Sequence, residues 1–149
     1  MVFVQRDASD AQVLNIVRKW VDVLARQDYE AVFAALGYVL DYGEPGSECI
    51  RRAILEYRSP EHYPGIEEFA VTDWRSAEGG YPEPRQKVTW FKPNSTGLRG
   101  AVEFDLPLNG KWSDLRADFV FFDNKNLNEG YTLSLEEIYC WRQRQQEME

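Results

Sequence analysis

Histidine is nearly missing from this 149-residue chain, which has one, and cysteine and methionine are scarce at two each. Catalysis of the Ser/His/Asp or Cys/His kind would have to pass through His62, and metal sites built on two or more histidines are excluded. His62 lies in the proline-flanked stretch Ser59-Pro60-Glu61-His62-Tyr63-Pro64, which reads as a surface loop rather than the seat of a general base. Cys49 and Cys140 belong to no short paired spacing that would chelate zinc or run thiol exchange, so two reduced, partly buried thiols are expected. Basic residues are also short, 17 Lys+Arg against 25 Asp+Glu, and the net charge of -8 repels phosphate backbones. Nucleic acid is therefore an unexpected partner, whereas a basic protein or a cationic ligand would be attracted. No apolar run approaches the roughly 18 residues of a spanning helix, and Arg6 is reached too soon for a secretory signal. A cytoplasmic protein without membrane contact is expected.

Cofactor signatures are missing too. Gly79-Gly80 is followed by Tyr81-Pro82-Glu83, without the lysine or helix start of a phosphate cradle, so no nucleotide is expected. Asp105, Asp114 and Asp118 lack calcium-loop spacing and read as a solvated strand face; no metal is expected.

What is present is an ordinary globular balance, 44% hydrophobic and 28% charged, which disfavours disorder. With no repeat or linker-like shift in composition, residues 1–149 read as one domain. In residues 9–26, Val13, Ile16, Val17, Trp20, Val21 and Leu24 recur at helical spacing, with Ser9 or Asp7 able to cap the free first-turn N–H groups. Asp28 caps a short second helix that ends before Gly37, and residues 38–42 suggest a brief strand. Pro45-Gly46-Ser47 opens a third helix, with Cys49, Ile50, Ala53, Ile54 and Tyr57 on its apolar side and Ser59-Pro60 as its stop.

From Gly65 the period changes to that of strands, predicted at 66–74, 85–91, 98–106, 111–122 and 131–141, with 143–149 as a solvated tail. Asn109-Gly110 marks a tight hairpin, because both residues tolerate positive φ. Alternation puts Leu98, Val102, Phe104 and Leu106 on the core side of one strand and Leu115, Ala117, Phe119 and Phe121 on that of the next. It gives Asp114, Arg116 and Asp118 to water. The fold class that results is α+β: three N-terminal helices packed on a curved antiparallel sheet of four to six strands.

Three helices before a long meander, with Arg26-Gln27-Asp28-Tyr29-Glu30-Ala31 turning the first helix into the second, resembles the nuclear transport factor 2-like superfamily. The resemblance implies a cystatin-like cone, a bent sheet wrapped around helices, often with a pocket at its open end. It fixes a shape without fixing a job, since members include isomerases, dehydratases, accessory domains and transport or immunity proteins. In ketosteroid isomerase, a member, carboxylic acids and a tyrosine in an apolar cavity move the proton. Here Tyr38 and Asp41 follow the second helix, where such a base would fall.

Glu137 shares the register of Tyr131, Leu133, Leu135, Tyr139 and Trp141, so strict alternation would bury a carboxylate inside the cone, as proton-transfer chemistry requires. A β-bulge at Glu136-Glu137 would instead turn Ile138 and Cys140 inward and give both acids to water. Trp20, Tyr57, Trp90 and Tyr139 are candidates to line a site for a small apolar ligand, with ordinary core packing as the alternative. Asp118, Val120 and Phe122 offer a solvent-side patch for a protein partner or a homodimer formed through the sheet face. The leading expectation is a non-enzymatic binding or interaction protein of accessory or immunity type. The alternative is a small isomerase or dehydratase using Glu137 or Asp41 as proton carrier, with Tyr38, Tyr57 or Tyr139 as hydrogen-bond donor.

Overall fold

A computed structural model describes residues 2–36, 46–79, 83–123 and 130–148. The 38–42 strand, with Tyr38 and Asp41, lies outside the described residues, as do the cap at Gly37, Pro45 and the centres of the Gly80 and Asn126 loops.

The architecture is α+β, as the periodicities predict. A first strand, β1 (Val2–Gln5), precedes the helices α1 (Asp10–Ala25), α2 (Tyr29–Leu36) and α3 (Gly46–Leu55). Then come β2 (Gln86–Trp90), β3 (Leu98–Leu108), β4 (Lys111–Asp123), β5 (Gly130–Cys140) and a last helix, α4 (Trp141–Met148). The strands form one curled antiparallel sheet in the order β1-β5-β4-β3-β2.

Local chemistry accounts for the boundaries. Ser9 caps α1 by accepting from the Gln12 N–H while the Gln12 side chain accepts from the Ser9 N–H, a reciprocal capping box. Asn109 (φ 51°) and Gly110 (φ 83°) form the tight turn between β3 and β4. Gly100 lies under Phe121, and a Cβ there would meet the ring at 2.0 Å. The core fills the space between helices and sheet with Val13, Val17, Trp20, Val21 and Leu24 of α1, Ile50 and Ile54 of α3, and Phe104, Phe119 and Phe121 of the sheet. Trp20 meets Phe119 edge to face at 5.2 Å and donates its indole N–H to the Val32 carbonyl.

Three sequence expectations differ from what forms. Residues 66–74 make one isolated bridge, Val71 to Leu108, rather than a strand, because the β2 pairing leaves them only the far end of β3 to dock on. Val2–Gln5 is too short to show a period, yet it pairs with β5, and Val4 enters the core. The strand expected to reach Trp141 stops at Cys140, and the solvated tail is helical. No helix among the described residues is long and apolar enough to cross a membrane.

Candidate functional site

Two irregularities of the sheet decide where the chemistry sits. The first is at Pro107, which has no N–H for the ladder. Asp105 pairs with Arg116 but Pro107 pairs with Trp112, so Ser113, Asp114 and Leu115 of β4 stand opposite Leu106 alone and β4 carries two extra residues. The Ser113 hydroxyl repairs the gap, donating to the Leu106 carbonyl at 2.6 Å and accepting from the Leu115 N–H at 3.1 Å. Asp114 is thereby aimed at the C-terminal end of α3, where the Tyr57 hydroxyl donates to one carboxylate oxygen and the Cys140 thiol to the other, at 3.2 Å. The carboxylate is 1% exposed, and among the described residues no arginine or lysine pairs with it.

This group forms part of the floor of a cleft of about 480 Å³ between the end of α3, the 58–61 loop, the end of β5 and α4. Ala53, Leu115 and Ile138 add apolar floor; Glu56, Glu61, Arg58 and Arg142 stand around it. Behind Tyr57, a cluster with Phe69 (4.8 Å) and Tyr63 (6.5 Å), all edge to face, holds the phenol in place. Burial, reinforced by the Asp114 hydrogen bond and charge, pushes the Tyr57 hydroxyl well above its ordinary range. Burial likewise pushes the Cys140 thiol up to about 11, with the Asp114 charge adding to it. Near neutrality both remain protonated donors.

The second irregularity is the bulge in β5. Asp118 faces Glu137 while Phe119 faces Leu135, so Glu136 is the extra residue. Ile138 turns into the core, Cys140 packs against it, and Glu137 faces outward. Of the two readings of Glu137, the structure takes the bulge. Its carboxylate receives a bidentate Arg144 from α4, one arm at 2.8 Å, while the same guanidinium lies 3.8 Å from the Tyr139 ring centroid.

The outer face of β4 is not given to water, which corrects the reading of Asp105, Asp114 and Arg116 as solvated. Asp105 (3% exposed) and Arg116 (8%) form an ion pair at 2.7 Å, covered by Trp141 stacked 5.2 Å from the guanidinium. The Arg85 backbone N–H donates to the second Asp105 oxygen. In the next row, Asp118 lies between Glu103 and Glu137. Desolvation, with the charges of Glu103 and Glu136 adding, raises its pKa to about 6 against the lowering hydrogen bond from Tyr139 and the charge of Arg116. One Asp118 oxygen has no hydrogen-bond partner among the described residues.

Asp118 is expected to titrate with a midpoint near 6 in carboxyl-carbon NMR. Its folded value lies above the unfolded one near 3.9, so the folded state binds the proton more readily, and stability rises as pH falls through this window. Relative to Asp118→Asn, the parent protein should gain stability between pH 7 and pH 5. A midpoint of 4 or below would show a solvated carboxylate.

The remaining candidates separate. Trp20 is core, not lining, because the α1 stripe carries it onto Phe119. Trp90 is 39% exposed on the β2 edge, bonded to Asp10 and set against Phe121, away from the cleft. Tyr57 and Tyr139 both border the cleft. Val120 is only 7% exposed and Phe122 is half-buried, so the expected open patch beside Asp118 is largely covered within the monomer. Strand alternation does not bring Asp114 and Cys140 together; Pro107 inside an apolar strand is the sequence signal for the bulge that joins them.

No protein-family model matches the chain, and neither curated proteins nor solved structures give a significant match.

Proposed function

We propose that this chain is a non-enzymatic binding protein that takes a small ligand in the cleft between α3 and α4. The observation that carries the reading is the Tyr57–Asp114–Cys140 group, a buried carboxylate on the cleft floor whose two donors keep their protons at neutral pH. Such a floor offers fixed recognition without an activated nucleophile, since a thiol so far above neutrality is a poor one. Helix-to-sheet packing also speaks against a cavity enzyme inside the curl, because Phe104, Phe119 and Trp20 occupy that space.

Asp118 with Tyr139 favours the second reading, a carboxylic acid poised near neutrality beside a phenol. The pair lies on the outer sheet face, partly under α4, rather than in an apolar chamber, and that placement ranks it below the cleft. Helix order before the meander supports the nuclear transport factor 2-like shape, from which the leading strand β1 departs. A cytoplasmic setting goes with this reading, since Cys49 and Cys140 form no disulfide among the described residues.

A screen of small polar fragments by amide NMR tests the cleft. Perturbations are expected to gather at Tyr57, Ser59, Asp114, Cys140 and Gln143. Fragments that gather instead around Asp118 and Glu103 would favour the enzyme reading, and hits scattered over the surface would remove the cleft.

A further inference from the structure

We infer that the cleft ligand is a small organic cation whose ammonium group is held against Asp114. The inference rests on the binding reading above and names the class of ligand.

Charge bookkeeping inside the cleft is the ground for it. A buried carboxylate is ordinarily paired with a cation, because neutral donors replace only part of the hydration it gives up. Asp105, on the same sheet, follows that rule with Arg116. Asp114 does not: its donors are a phenol and a thiol, both neutral, although it is the more deeply buried of the two. Each of its oxygens is bonded once and keeps a free acceptor direction.

The surrounding charges agree with a cation. Glu56 and Glu61 are exposed at the rim. Of the two cleft arginines, Arg58 directs its guanidinium to the carbonyls of Leu55 (2.7 Å) and Tyr57 (2.6 Å), where it offsets the negative end of α3. Arg142 lies 5.5 Å from the Trp141 ring centroid. Glu56 meets Arg52 only at 3.9 Å, between two exposed side chains, and Asp114 pairs with no cation among the described residues, so negative charge remains to attract an incoming cation. A volume near 480 Å³ suits a small molecule rather than a folded partner, and the net charge of -8 draws cations toward the surface.

Isotope-labelled protein titrated at pH 7 and low salt with n-butylammonium, n-butanol and butyrate separates charge from shape. N-Acetyl-lysine N-methylamide, which carries the same group on a peptide-like backbone, forms a fourth arm. The ammonium ion is expected to shift Tyr57, Asp114 and Cys140, to bind at least ten-fold more tightly than the alcohol, and to leave butyrate without effect. Asp114→Asn should weaken it about ten-fold or more. Should that variant fold poorly, Glu56→Gln with Glu61→Gln, both at exposed sites, should weaken it several-fold. Equal binding of alcohol and ammonium at the cleft, or an affinity untouched by these substitutions, would overturn the cation while leaving the cleft in place. Binding of the lysine amide alone would overturn the small-molecule assignment. Silence of the cleft toward all four probes would remove both readings.

Discussion

Phe119→Ala is expected to lower the unfolding free energy by about 3–5 kcal/mol, a large share of the 5–15 kcal/mol typical of a domain. The ring is fully buried at the middle of β4 and is met edge to face by Trp20 of α1, so its removal leaves a void between the helical layer and the sheet. Part of the cost is lost transfer free energy, and the rest is the cavity that rigid neighbours cannot close. Urea denaturation should show a lower midpoint with an unchanged slope, because the surface exposed on unfolding barely changes. The result bears on function as well as stability. If the interior were a ligand chamber, truncating a side chain on its wall would cost about 1 kcal/mol or less and would enlarge the chamber; a loss that small would reopen the cavity-enzyme reading.

Arg116→Met should cost a similar amount, about 3–5 kcal/mol, for an electrostatic reason. The substitution keeps much of the aliphatic stem but removes the guanidinium that lies over Trp141 and strands Asp105, which is 3% exposed. Even with Arg116 present, desolvation outweighs the arginine and raises the Asp105 pKa, so the pair is not a large net stabiliser. Its importance lies in what remains when one member is removed. The sign of the pH dependence follows. A carboxyl whose folded pKa is raised penalises folding when ionised, so the variant should be least stable at pH 7 and should recover as the pH falls. Adding Asp105→Asn to Arg116→Met should restore most of the loss at pH 7, since the amide oxygen can still accept from the Arg85 N–H without a charge. Chemical denaturation of the two variants at pH 7 and pH 5 checks both statements. A single variant within 1 kcal/mol of the parent would mean that water reaches Asp105.

Periodicity carried the layer structure. The 3.6-residue stripe of Val13, Val17, Trp20, Val21 and Leu24 and the two-residue alternation of Leu115, Ala117, Phe119 and Phe121 both enter the core as read. Asn109-Gly110 placed the β3–β4 hairpin because its left-handed backbone is a local property. Glu137 is the instructive middle case, where alternation alone allowed an inward or a bulged register. Phe119 opposite Leu135 and Ile138 in the core show which one packs more apolar surface.

Local preference, then, determined the first three helices and the long strands β3, β4 and β5 and which side of each is greasy, since those properties reside in residues at most four apart; it did not determine the pairing of Val2–Gln5 or of residues 66–74. Which polar residues are covered, and by what, was decided by tertiary structure. Trp141 of α4 closes over Arg116, and residues of α3, β4 and β5 far apart in sequence bring Tyr57, Asp114 and Cys140 together. A polar residue on a strand looks the same in sequence whether water or another element covers it, because its desolvation depends on chain arriving from elsewhere.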